Sequence, residues 1–263
     1  KLVTDYLRDL ALGNEVDKLI EYSVNKGKID PLIAEVRASY ETLITISDFD
    51  VLFKKNWITE VESIFQAIPS CGMVGHFPDP KKYKGYNSTT LLSGLFGNRL
   101  KIEKQDFKEE LSVFAESINT NYKDYALEEV LTYSKNGVKA VVGAHHFSTT
   151  MHRGYLKQVN LEPSHQKMAG NSEYHYVDEP VDKLGCLRLS PRYPVVYHMA
   201  NTWEEWMATE VENSLKAGGV ETKNIKRELK KSRISNLPYS IRTKLESLFF
   251  RTSVEKVVRK YLF

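Results

Sequence analysis

Val138–Phe147, VKAVVGAHHF, is the stretch on which the fold class turns. The segments before it mostly read at helical spacing. Here β-branched residues cluster between Gly-, Ser- and His-rich turns, the mark of short strands. Arg153–Leu161, RGYLKQVNL, and Gly185–Ser190, GCLRLS, carry the same signature. Together they predict an α+β fold, predominantly α-helical, with a small β element around residues 137–190.

Upstream, Leu2, Val3, Tyr6, Leu7 and Leu10, then Val16, Leu19 and Ile20, fall at helical intervals interrupted at Gly13-Asn14. Asp30-Pro31 opens a second helix, with Asp as cap and Pro where its missing N–H costs nothing. Leu32, Ile33, Val36, Tyr40, Leu43 and Ile44 form its apolar face. Thr59 and Glu62 make a capping-box pattern before a helix that Pro69 stops. Residues 69–88, rich in Pro, Gly, Asp and Lys, read as a loop, and helices are expected at 88–97, 106–119 and 124–135. Downstream, a helical pattern returns near Pro194. Trp203, Trp206, Met207, Val211 and Leu215 lie on a helix that Gly218-Gly219 ends, and two further helices close the chain from Pro238. The predicted organisation is a helical N-terminal lobe, 1–136, and a mixed His-rich segment followed by basic C-terminal helices, 137–263.

Gly13–Arg37, GNEVDKLIEYSVNKGKIDPLIAEVR, resembles the last helices of bacterial effector-associated adaptor domains, two amphipathic helices around a Gly, without the preceding half of that domain. The resemblance implies a helical N-terminus that recruits protein partners, another protein or a second copy of the chain.

Hydrophobic residues make up 41% and charged residues 27%, which excludes disorder and long coiled coil as descriptions of the whole chain. No window approaches ~18 uninterrupted apolar residues, so no membrane-spanning helix and no membrane partner are expected. Cys71 and Cys186 are the two cysteines. Without a Cys-x-x-Cys they make no disulfide framework or zinc site, and they suit a reducing, intracellular compartment; a single bridge between them stays open.

The net charge of +3 hides an asymmetry. From Lys216 onward there are 13 Lys and Arg against 4 acidic residues, which leaves 24 against 30 in the rest. A weakly acidic body with a basic end is the footprint of a polyanion partner. In Thr222–Lys231, TKNIKRELKK, the side chains of Lys223, Lys226, Arg227, Lys230 and Lys231 fall on a helical wheel within an arc of roughly 140°, with Ile225 and Leu229 opposite. Five like charges on one face repel one another, and phosphates would relieve that repulsion. A second cluster alternates cations with aromatics: Lys81, Lys82 and Lys84 with Tyr83 and Tyr86, the combination single-stranded bases require.

Six of the seven histidines lie between positions 145 and 198. His145 or His146 together with His152 could serve as general base and general acid, with Arg153 or Lys157 stabilising a phosphorane, as a metal-independent nuclease needs. No HExxH or other spaced ligand set occurs, so no metal site is expected, and without a P-loop or dinucleotide fingerprint no cofactor is expected. Asn236-Leu237-Pro238-Tyr239 resembles the amino-methyltransferase motif, but no Gly-rich cofactor loop accompanies it, and Asn236 reads as a helix cap. The leading expectation is a nucleic-acid-binding protein, RNA or single strands favoured, with a nucleocapsid-like or packaging role compatible with the charge layout. The rivals are a histidine-dependent nuclease and an adaptor.

Overall fold

Seven strands form one mixed sheet at the centre of the protein, and this overturns the expectation of a predominantly helical chain with a small β element. A computed structural model describes residues 2–121, 129–156, 158, 173–200, 203–216 and 228–250. Strands β1 (Leu43–Ser47), β3 (Cys71–Gly75), β4 (Leu100–Lys104), β5 (Glu129–Lys135), β6 (Val138–Val142), β7 (Ser148–His152) and β8 (Leu187–Ser190) lie in the order β1-β7-β3-β8-β6-β5-β4. Strands β3 and β8 run parallel, and the other pairings are antiparallel. A separate two-stranded ladder joins β2 (Val51–Phe53) to β9 (Val196–His198). Strands on both sides of Asn136 contribute to the large sheet.

Period-two alternation sorts the core into its two faces. Val74, Leu187, Leu189, Ala140 and Val142 pack with Val61, Ile64 and Phe65 of helix α3 (Trp57–Ala67). Their neighbours point the other way. Met73 packs with Ile29 and Ile33 of helix α2 (Ile29–Ala38), and Val141 with Phe114 and Phe147. Cys71 belongs to the first cluster and Cys186 to the second, so they are two free, buried thiols on different sides of the sheet.

The misread segments have identifiable causes. Residues 71–75, CGMVG, form a fully buried central strand rather than part of a loop. Its glycines mark close approach: a Cβ on Gly72 would stand 2.7 Å from Cys186 Cβ, and one on Gly75 would stand 2.7 Å from the His145 backbone nitrogen. Strand β7, STTMH, is buried throughout because its hydroxyls find partners within the core: Thr149 donates to the Val74 carbonyl, and Ser148 and Thr150 flank His76. The helical reading of Leu43 and Ile44 fails because the chain leaves helix at Ala38 and re-enters as edge strand β1. The helix expected over 124–135 is strand from Glu129, turned into β6 by Asn136-Gly137. Those two residues adopt φ of 51° and 80°, the left-handed pair a two-residue hairpin demands.

Helix α1 (Leu2–Leu12) buries none of its residues. Beyond it, the chain is not helical from Gly13 to Lys28, so one of the two helices behind the adaptor-domain resemblance is replaced by irregular chain. Helices α4 (Ser88–Phe96) and α5 (Lys108–Ser117) match their expected spans closely. After the short turn α6 (Arg153–Leu156) and a π-turn at Tyr174–Asp178 come α7 (Glu179–Lys183), α8 (Glu205–Lys216) and α9 (Tyr239–Phe250). The N-terminus of α4 is capped from a distance. The Asp182 carboxylate accepts from the Ser88 and Thr89 N–H groups at 3.0 and 2.7 Å and from the Ser88 hydroxyl at 2.8 Å. Arg242 of α9 donates to the Asp182 and Lys183 carbonyls and to Thr89 Oγ1, latching the last described helix to this cap. Among the described residues no helix is long and apolar enough to cross a membrane.

Candidate functional site

The residues expected to bind phosphate are distributed by the fold over two sites. Lys223, Lys226 and Arg227 lie outside the described residues. Lys230 and Lys231 are described, and they lie in neither helix nor strand: residues 228–232 run beside the start of β3, with Lys230 N–H donating 2.9 Å to the Pro69 carbonyl and Ser232 N–H to the Gly185 carbonyl. This path places them across from the C-terminal end of α4 and the β5–β6 hairpin. Arg99, Lys135, Lys230, Lys231 and Arg233 then line one groove of about 580 Å³, walled by Phe96. Among the described residues no carboxylate shares the lining and none of the five makes an ion pair. Phe96 is 64% exposed, an apolar ring held beside the cations. The groove's own field is felt by Lys135: burial first, then the positive Arg99 and Lys230, push its pKa below the ordinary lysine value. Arg242, another cation of the basic tail, is buried in the α4–α7 latch.

The 81–86 loop serves a second cavity, of about 380 Å³, at the other end of β3. Lys81, Lys82, Lys84 and Tyr86 line it, while Tyr83 turns into the core beside Leu91 and Leu131. Three buried charges, Asp79, Asp178 and Arg188, also reach the lining. Arg188 is the unexpected member, since it projects from a central strand and is 1% exposed. It is held there by acceptors: its guanidinium donates to the Gly85, Tyr86 and Ala144 carbonyls and faces Asp178 Oδ1 at 2.8 Å. The last contact is Coulombic rather than an aligned hydrogen bond, because among the described residues Asp178 Oδ1 meets no well-directed donor and Arg188 Nε has no acceptor. Sequence reading passed over Arg188; the available signal was a charged residue inside the apolar run CLRLS.

The histidines flank this cavity without converging. His145 Nε2 lies 2.8 Å from Asp79 Oδ2. Burial pushes the His145 pKa down and outweighs the raising effect of Asp79, so the ring is a neutral donor. Burial alone would raise Asp79, but the His145 hydrogen bond, the Lys81 N–H and nearby Lys82 hold its carboxyl below the usual range. His146 bridges two carboxylates, Nδ1 at 3.2 Å from Asp178 Oδ2 and Nε2 at 3.2 Å from Glu173 Oε2. His152 stands at the far end of β7, about 13 Å of strand beyond Ser148, where its Nδ1 accepts from Gly154 N–H. Arg153 there donates to the Tyr40 carbonyl, and Lys157 lies outside the described residues. His145 and His146 therefore sit next to the cavity, each with its own carboxylate, and His152 belongs to a different part of the protein. Among the described residues no group of three or more His, Cys, Asp or Glu is arranged to hold a metal ion. His165 lies outside the described residues, and His175 pairs with Glu179 on the surface.

In comparisons with known proteins the chain matches no family model, no curated protein and no solved structure.

Proposed function

We propose that the protein binds single-stranded nucleic acid along the groove between the α4 C-terminus, the β5–β6 hairpin and the segment 228–232. The observation that carries this reading is the convergence of five cations on one groove that, among the described residues, no carboxylate lines. Like charges so grouped are mutually unfavourable, and after burial the positive Arg99 and Lys230 contribute to the lowered pKa of Lys135. A chain of phosphates removes the repulsion and releases condensed counterions. Phe96 adds the second element of single-strand recognition, an exposed ring on which any base can stack. Among the described residues neither histidine nor carboxylate, the usual acid–base pair for phosphodiester cleavage, lines this groove, and binding is the activity we propose for it.

Fluorescence anisotropy against labelled single-stranded RNA, single-stranded DNA and duplex DNA across a salt series tests it. Affinity should fall steeply with salt. Reversing Lys230 and Lys231 to Glu should weaken binding and flatten the log–log salt slope by about 0.7 for each single-strand phosphate that is no longer neutralised. Phe96→Ala should weaken single-strand binding by about 1–3 kcal/mol with little sequence preference. Probes run on gels should remain intact. Absence of binding at low salt, or unchanged affinity and slope in the double variant, would overturn the proposal.

A further inference from the structure

The cavity beside the 81–86 loop is built differently from the groove, and we infer that it is a separate site for a mononucleotide, a single phosphate monoester carrying a planar base. Its volume of about 380 Å³ is at the small end of the ~300–1,000 Å³ typical of small-molecule pockets, the size of one such ligand rather than a strand. Four cations line it against two carboxylates, and both carboxylates already have partners. Asp79 accepts from His145 and the Lys81 N–H, and Asp178 is flanked by His146 and Arg188. What remains is a positive surplus suited to an anion.

The donors are placed for a phosphate. Lys82 Nζ donates 2.7 Å to the Tyr174 hydroxyl, which leaves that hydroxyl its own proton to give to a ligand oxygen. Exposed Lys84 stands at the rim, and Arg188, 1% exposed and with no acceptor for Nε among the described residues, supplies positive charge from the floor. The base has a wall: the rings of Tyr86 and Tyr174 border the cavity with centroids 6.2 Å apart, inclined by 30°.

The loop is fixed before any ligand arrives. Tyr86 occupies the left-handed region at φ 52°, a conformation that costs a non-glycine residue free energy and persists only where surrounding contacts impose it. Those contacts are Arg188 on the Gly85 and Tyr86 carbonyls and the Asn87 amide on the Lys82 and Gly85 carbonyls. A strained ring held at the mouth of a cationic cavity is preorganisation for a ligand.

Isothermal titration with AMP, ribose 5-phosphate, inorganic phosphate and adenosine, on the intact protein, tests the site. AMP should bind most tightly, ribose 5-phosphate and phosphate more weakly, and adenosine not measurably. Charge-assisted hydrogen bonds are each worth about tenfold in affinity or more. Lys84→Met and Lys82→Met should therefore each lose at least that factor for AMP, and Tyr174→Phe a smaller one. Circular dichroism would verify that these variants stay folded. The Lys230→Glu/Lys231→Glu protein should bind AMP unchanged, which keeps this test independent of the groove. Equal binding of adenosine and AMP, or AMP binding indifferent to Lys82 and Lys84, would overturn the inference. So would loss of AMP binding on reversal of Lys230 and Lys231, or no heat with any ligand up to millimolar concentration.

Discussion

Replacing His76 by Asn isolates one buried neutral imidazole from every other source of acid sensitivity. His76 is fully buried, its ring beside Phe53 and Trp57 at centroid distances of 5.6 and 5.2 Å. Nδ1 lies 2.7 Å from the Ser148 hydroxyl and Nε2 lies 2.8 Å from that of Thr150. Burial pushes its pKa from 6.5 down to about 3. In the unfolded chain the same ring titrates near its ordinary value, so between the two pKa values the unfolded state holds a proton that the folded state refuses. Stability is then fully present above about pH 6.5 and falls as the pH drops through the unfolded pKa, with no further loss below the folded one. At pH 5 the unfolded ring is about 1.5 units below its pKa, and at 1.36 kcal/mol per unit the loss is about 2 kcal/mol. That figure is insensitive to the native pKa as long as the latter lies well under 5.

Asn in this position reproduces the Nδ1 contact with Ser148 and forfeits the Thr150 contact, a deficit of about 1–3 kcal/mol that is the same at every pH. Urea unfolding followed by tryptophan fluorescence at pH 7 and pH 5 separates the two effects. Wild type should lose about 2 kcal/mol more than His76→Asn between those pH values, while contributions from His145 and from the carboxylates cancel in the difference. Parallel losses in the two proteins would refute the reasoning, because they would mean that the ring is protonated in the fold.

Two further substitutions probe the supports of the sites. Asp182→Ala should cost about 3–5 kcal/mol in denaturant unfolding, since it strands buried Arg242 and removes the cap of α4. Asp182→Asn, which keeps an amide oxygen for the Ser88 and Thr89 N–H groups, should cost markedly less. Gly143 has φ +105°, and a Cβ there would stand 2.7 Å from the Lys82 carbonyl carbon and oxygen. Gly143→Ala should therefore destabilise by about 2 kcal/mol or more, and hydrogen exchange should show the 81–86 loop opening faster than in wild type.

Legibility in the sequence followed the physical origin of each element. Strands β6 and β8 and helices α3, α4, α5, α8 and α9 could be read because local pattern and tertiary role agree there. Strands β3 and β7 could not, for opposite reasons. In β3 the glycines signal contact with Val181, Cys186 and the His145 backbone rather than a turn, and contacts between distant segments leave no local pattern. In β7 the serine and threonines are polar yet buried, because their hydroxyls are satisfied by Val74, His76 and Thr45. A rule that sends polar runs to turns misplaces such a strand. The site shows the same division. The 81–86 loop was visible as cations between aromatics, but Arg188 and Asp178, which complete its cavity, come from elsewhere in the chain. Arg99 and Lys135 reach the groove from a helix end and a hairpin, and neither belongs to a basic run.

Lys230 and Lys231, outside any helix, have inequivalent charged surroundings, whereas the helical reading put both on one arc. Burial first, then Arg99 and Lys230, lower the Lys135 pKa, while Lys231 acts on the Cys186 thiol, which burial pushes up to about 12. Lys230 is thus coupled to Lys135 within the groove, and Lys231 to Cys186 outside its lining. Single reversals should differ accordingly, with Lys230→Glu weakening nucleic-acid binding more than Lys231→Glu at the same salt concentration. Lys230→Glu should also raise the Lys135 pKa toward its ordinary value, which NMR titration of the lysine side chains would detect. Equal losses from the two reversals, together with an unmoved Lys135, would place both lysines on one face and restore the helical reading of the segment.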